Sequence, residues 1–134
     1  LVGHPKFKKL ISKKQLDQND ITALMQLPWI AYSEILLFIK EYFHTVFHQE
    51  FHGNLKLVIP DLWAMLAAVT AGVGVTILPT YFCQEMIAEK KIVILYETPK
   101  APSHYFYIGW KQGALRDPKV KFVYDLFKRA CIQT

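Results

Sequence analysis

The sequence predicts an α/β domain, an open, mostly parallel sheet flanked by helices, and three observations carry that prediction. Residues 58–80 read as strand end, turn, helix, glycine stop, strand and proline in one unbroken run. The helical part (Leu62, Trp63, Met65, Leu66, Ala67, Ala68, Val69) has hardly any polar face, so both of its sides are expected to be covered. Val73, Val75, Thr76, Ile77 and Leu78 then form an apolar, β-branched run that suits a central parallel strand. Strand, helix and strand with such short connections imply helices covering an open sheet. Ligands in such sheets collect at the carboxyl ends of the strands, here near Pro60–Asp61 and Pro79–Thr80.

The elements follow in order. Residues 2–4 finish a strand that Pro5 turns, and residues 6–14 read as a basic, poorly periodic loop. A short helix is predicted over 16–27, with Leu16, Ile21, Leu24 and Leu27 inward. Pro28 stops it, and 29–32 is a strand. Ser33 then caps a long helix over 34–50, where Ile35, Phe38, Ile39, Tyr42, Phe43, Val46 and Phe47 recur at helical spacing. Gly53-Asn54 is a turn, and Leu55, Leu57 and Ile59 alternate as a strand. Asp61 caps the apolar helix and Gly72 supplies the left-handed residue that ends it. A helix over 80–89 and a strand over 92–95 come next. Pro99, Pro102 and Ser103 make a connection, 105–110 is the last strand, and Asp117 or Pro118 opens the final helix. That helix carries Val120, Val123, Tyr124 and Phe127 on one face.

Composition narrows the function. A chain of 134 residues fits one domain and can bury a real core. Apolar residues at 52% argue against disorder. Asp61, Thr70 and Gly72 break the longest apolar stretches, so no membrane span is expected. The amino terminus lacks the basic, apolar and cleavage regions of a secretion signal. The sequence starts at Leu1 without an initiator methionine, already inside a strand, and is read as a piece of a longer protein. Sixteen Lys and Arg against eleven Asp and Glu give +5, but the basic residues are dispersed and only Arg116 and Arg129 are arginine. Solvated surface is therefore the reading, rather than a nucleic-acid face. Cys83 and Cys131 are read as buried free thiols of a reducing compartment.

Residues 71–79, Ala-Gly-Val-Gly-Val-Thr-Ile-Leu-Pro, resemble a signature of the ligand-sensing domain of LysR-type bacterial transcriptional regulators: Ala-Gly-aliphatic-Gly-aliphatic-small-aliphatic-aliphatic-Pro. Leu1-Val2-Gly3-His4-Pro5 is similar to the family's strand into a His-Pro or Ser-Pro turn. Pro28-Trp29-Ile30-Ala31-Tyr32-Ser33 is similar to its strand into a binding-site serine. The resemblance covers nearly the whole chain, and its specific part is 71–79. It implies a type 2 periplasmic-binding-protein-like fold. Residues 1–103 would form the second lobe and 104–134 the closing strand and helix returning to the first. The DNA-binding helix-turn-helix and most of lobe one would lie outside this chain. It further implies a cytoplasmic, non-enzymatic sensor of a small-molecule effector, working as a dimer or tetramer, with DNA bound only through the absent domain. A lobe of a solute-binding protein for transport is the alternative, separated from it by what precedes Leu1.

The other candidate chemistries fail. His44 and His48 would share a helix face, but no Glu follows His44 as in zinc hydrolases, and His52 lies past the helix end; no metal is expected. Gly72-Val73-Gly74 follows a helix and precedes a strand, the reverse of a phosphate loop, and no lysine adjoins it. Ser12, Ser33 and Ser103 lack a nucleophile elbow, and Cys83 sits among apolar neighbours that keep its thiol protonated. Neither catalysis nor a cofactor is expected. The site is a helix-terminus cleft. The resemblance carries the ligand-contacting serine to Ser33, flanked by Tyr32 and Ile35, with Asp61, Thr80 and His4 around the rim. Ser33 and Asp61 each have a second reading as simple helix caps. Glu34, in the first predicted turn, weakens the case for an anionic effector.

Overall fold

A computed structural model describes residues 1–105 and 107–132, with side chains described through residue 130. The chain forms two compact units, Leu1–Pro102 and Ser103–Thr134. In the first, β1 (Val2–Gly3) is followed by short helices α1 (Pro5–Lys8), α2 (Lys13–Asp17) and α3 (Thr22–Gln26). Then come β2 (Pro28–Ala31), α4 (Leu37–Phe47), β3 (Asn54–Val58), α5 (Leu62–Thr70), β4 (Val75–Thr76), α6 (Thr80–Ala88) and β5 (Val93–Ile94).

Among the described residues these strands make one sheet in the order β3-β2-β4-β1-β5. β2 is parallel to both β3 and β4, whereas β1 runs antiparallel between β4 and β5. All strands but β1 therefore point the same way, as the mostly parallel reading requires. β4 is central, and Val75 and Thr76 are buried. The Thr76 hydroxyl donates to the Ile30 carbonyl at 2.7 Å, so this polar side chain enters the core satisfied.

Successive β2 side chains leave opposite faces of the sheet. Trp29 joins one core with Leu24, Phe43, Phe47 and Val75 under α2, α3 and α4. Ile30 joins another with Met65, Leu66, Val69 and Cys83 under α5 and α6. Trp29 meets Phe43 and Phe51 edge-on, with ring centroids 5.4 and 5.1 Å apart, and its indole N–H donates to the Leu24 carbonyl at 2.8 Å. Side chains buried to this degree contribute about 1.5–3 kcal/mol each.

Local chemistry acts as read along 58–80. The Asp61 carboxylate accepts from the Ala64 N–H at 2.7 Å and caps α5. Gly72 stands at φ +74°. The Val73 N–H donates to the Ala68 carbonyl and the Gly72 N–H to the Val69 carbonyl, both at 2.9 Å, a double closure of the helix end. A methyl on Gly74 would lie 2.5 Å from the Pro28 carbonyl oxygen, so glycine is required by the closeness of β2.

Several expectations are corrected. α5 is not covered on both sides: Trp63, Ala64 and Ala67 are exposed, because the packed face is Met65, Leu66 and Val69 with the partly buried Leu62 and Ala68. The helix expected over 16–27 is two helices, since Asn19 takes a left-handed conformation (φ 65°), although all four inward residues are buried. The loop expected over 6–14 holds α1, because the His4 imidazole caps that turn. The helix expected from residue 34 starts at Leu37, after a turn in which the Leu36 N–H donates to the Ser33 carbonyl at 3.1 Å. Ser33 is therefore not its cap.

In the second unit a 3₁₀ turn (Ala114–Arg116) leads into α7 (Pro118–Ile132). The Asp117 carboxylate accepts from the Lys119 N–H at 2.8 Å and fixes that start. Trp110 meets Tyr124 edge-on at 5.0 Å. No strand forms over the described part of 105–110; Phe106 lies outside the described residues. A strand needs a ladder partner, and this unit has none among its described residues. The reading of Cys131 also falls on a side chain outside the described ones.

Candidate functional site

Parallel pairing brings the carboxyl ends of β2, β3 and β4 to one edge of the sheet. The Ile59 N–H donates to the Ala31 carbonyl at 2.8 Å and holds two of those ends together. Chain direction then puts Tyr32-Ser33, Asp61 and Thr80 at that edge, and with them the first turns of α5 and α6. A small cleft opens there. Ala31, Tyr32, Ser33, Leu36, Phe38, Ile39, Met65, Thr76 and Ile77 line it. Its volume of about 10 Å³ holds a single water. A metabolite needs several hundred Å³. By itself this edge encloses too little space for one.

The expected site residues divide. Ser33 is half-buried at the cleft, and its hydroxyl has no hydrogen-bond partner among the described residues. Tyr32, 40% exposed, meets Phe38 edge-on with centroids 6.2 Å apart. Asp61 is exposed and uses one carboxylate oxygen as the α5 cap, leaving the other to solvent. Thr80 opens α6, which has no side-chain cap of its own. Ile35, 73% exposed, turns toward a neighbouring groove instead. His4 stands apart. β1 runs against β4, so His4 emerges at the opposite edge, beside Gly72, where its Nδ1 accepts from the Lys6 N–H at 3.2 Å.

Sequence reasoning missed two features. Leu36, Met65 and Ile77 line the cleft without any polar signal to mark them. Trp63 and Phe82 form an open aromatic pair, centroids 4.4 Å apart, joining the first turns of α5 and α6. A tryptophan two residues after a capping aspartate was the available sign, since side chains so close to a helix start stand beside the strand tips.

The neighbouring groove, about 660 Å³, lies along the outer face of α4 against residues 49–52. His44 and His52 line it with Lys40, Glu41 and Glu50, and the His52 imidazole stands 3.6 Å from the Glu50 carboxylate at the surface. Among the described residues no cluster of His, Cys, Asp or Glu could hold a metal ion. Burial pushes the Cys83 thiol up to about 11, so it is no nucleophile at neutral pH. No described helix is long and apolar enough to cross a membrane.

Residues 13–132 match the model of the LysR substrate binding domain. The HTH-type transcriptional regulator AbaB of Streptomyces antibioticus is 26% identical over 130 residues, which are 97% of this chain and 43% of that protein. The chain thus spans less than half the length of the curated relative it matches. No solved structure gives a significant match.

Proposed function

This chain belongs to the LysR substrate binding domain family, and from that premise we propose that it is the effector-sensing portion of a DNA-binding transcriptional regulator. The family's fold is the type 2 periplasmic-binding-like one, and its members are generally regulators rather than enzymes. They bind small molecules and act as oligomers. Likeness to a transcriptional regulator over nearly the whole chain separates this reading from that of a transport protein.

Residues 1–103 act as the second lobe and 104–134 as the segment returning to the first. The effector is held at Ser33, Tyr32, Asp61 and Thr80, with Ile35 at the margin; His4, on the far edge, takes no part. The single observation that carries this site is the incomplete cleft. Three parallel strands deliver their tips, a hydroxyl unpartnered among the described residues and open aromatic rings to one edge, yet enclose only about 10 Å³. A second wall must close over it. Closure on a ligand then favours one arrangement of the lobes, and an oligomer, dimer or tetramer, relays that shift to DNA-binding heads elsewhere in a cytoplasmic protein. Coupling of about 1–3 kcal/mol is ordinary for such relays.

The test uses the full-length protein and a metabolite library, read by thermal shift and by operator affinity. Ser33→Ala is expected to leave the ligand-free melting temperature unchanged, because Ser33 caps no helix, and to weaken the ligand-induced shift. A library without a single hit, or hits indifferent to both Ser33→Ala and Asp61→Asn, defeats the proposal.

A further inference from the structure

The segments at the strand tips are aromatic and acidic, and cations are sparse among them. Residues 28–39 and 60–82 carry two of the three strand tips and the helix starts, and they contain neither Lys nor Arg; β3, the third strand, carries Lys56 two residues before its end. Glu34 and Asp61, the acidic residues of those segments, are both exposed. Lys40, the next cation along α4, lines the outer groove instead. The rings are open as well. Trp63 is 70% exposed and Tyr81 55%, and Trp63 leans on Phe82 across the starts of α5 and α6. Tyr32 and Phe38 form a second such pair beside Ser33. Tyr32 and Phe38 line the cleft, while Trp63, Tyr81 and Phe82 stand at the helix starts of the same edge; large aromatic side chains left open along one edge mark a surface shaped for a ligand.

Charge decides what kind. Helix starts attract anions, but the start of α5 is already served by the Asp61 carboxylate. The start of α6 has no side-chain cap, yet an anion brought to this wall meets two exposed carboxylates against one Lys and no Arg across residues 28–39 and 54–82. A cation meets the opposite field. Ring faces carry negative charge density, so Trp63, Tyr81 and Tyr32 attract an ammonium group in addition to stacking on a flat ring.

Resting on the effector site proposed above, we infer that the ligand this wall selects is an aromatic amine, a flat ring bearing a protonated amino group, and not a carboxylate. The ring lies against the Trp63–Phe82 and Tyr32–Phe38 pairs. The ammonium faces Glu34 and the free oxygen of Asp61, and the Ser33 hydroxyl accepts one of its hydrogens.

Calorimetric titration of the full-length protein with phenethylamine and phenylacetate separates these, since the pair shares a ring and differs in charge; succinate serves as a ringless acid. Phenethylamine is expected to bind about tenfold or more tightly than phenylacetate at neutral pH. Joint Glu34→Gln and Asp61→Asn substitution, which keeps the α5 cap, narrows that gap to about threefold or less. Trp63→Ala weakens phenethylamine about tenfold at an exposed position where folding is not at stake. Tighter binding of phenylacetate, or binding of succinate alone, overturns the amine assignment and leaves the sensing role standing. A gap that survives the double substitution also overturns it. Absence of binding by these probes and by every member of the metabolite library overturns both.

Discussion

Tyr42 and Cys83 show how single groups behave in the two cores. The Tyr42 ring packs against Phe43 and Phe47 at 6.2 and 6.1 Å, but its buried hydroxyl has no hydrogen-bond partner among the described residues. Burial first, and nearby Tyr96 second, hold this phenol well above its ordinary range. An orphaned buried hydroxyl costs about 1–3 kcal/mol. Tyr42→Phe is therefore expected to stabilise the fold by about 1 kcal/mol, seen as a higher urea midpoint with an unchanged slope. Cys83 gives a pH signature. Its folded thiol, pushed from 9.0 up to about 11 by burial, keeps its proton where the unfolded thiol has lost it. The unfolded state thus binds fewer protons across that window, and stability falls as pH rises from about 9 towards 11. Urea melts of Cys83→Ala between these limits should show a shallower fall than the parent; equal slopes would refute the assignment.

At the scale of the element, legibility followed the range of the interaction that decides each boundary. The α5 start and stop were readable because Asp61 and Gly72 act on backbone groups within a few residues of themselves. The α4 start was not. Its apolar spacing runs smoothly back through Ile35, while the real start depends on Leu36 adopting a left-handed conformation (φ 59°). The asparagine break between α2 and α3 was hidden likewise, for Leu16, Ile21, Leu24 and Leu27 keep one inward face across both pieces. The two glycines before β4 differ in kind, and substitution separates them. Gly72→Ala meets a positive φ and a movable Lys6 side chain, with an expected loss of about 1 kcal/mol. Gly74→Ala drives a methyl into the fixed Pro28 carbonyl and is expected to lose about 2 kcal/mol or more. Chemical denaturation of both variants ranks them; the reverse order would refute the close approach of β2 and β4.

For the whole molecule, the two units are unequal in what they bury. Leu1–Pro102 holds the sheet and both cores, so that piece alone is expected to unfold in one cooperative urea transition. Residues 103–134 leave Val120, Phe122, Val123, Leu126 and Phe127 exposed on α7. A lone helix with so little buried is marginal in water, and the isolated segment should show weak, non-cooperative helicity by circular dichroism. A sharp transition from it would contradict this account. Most of the strand-tip edge was legible for a reason of the same kind. Ser33, Asp61 and Thr80 follow strands that parallel pairing forces to one edge, and the apolar strand patterns already implied such pairing. His4 follows β1, whose reversed direction no local pattern records.

The sequence by itself determined the strand–helix–strand run, its caps, its glycine stop and the family signature over 71–79, since these rest on backbone chemistry between near neighbours. Only the tertiary structure decided which side of α5 stayed open, where α4 begins and which edge received each rim residue. Those outcomes depend on strand direction and on which surfaces meet, and both are set by contacts between residues far apart in the chain. Trp63 shows the difference: its helix could be read from the sequence, but its exposure against Phe82 could not.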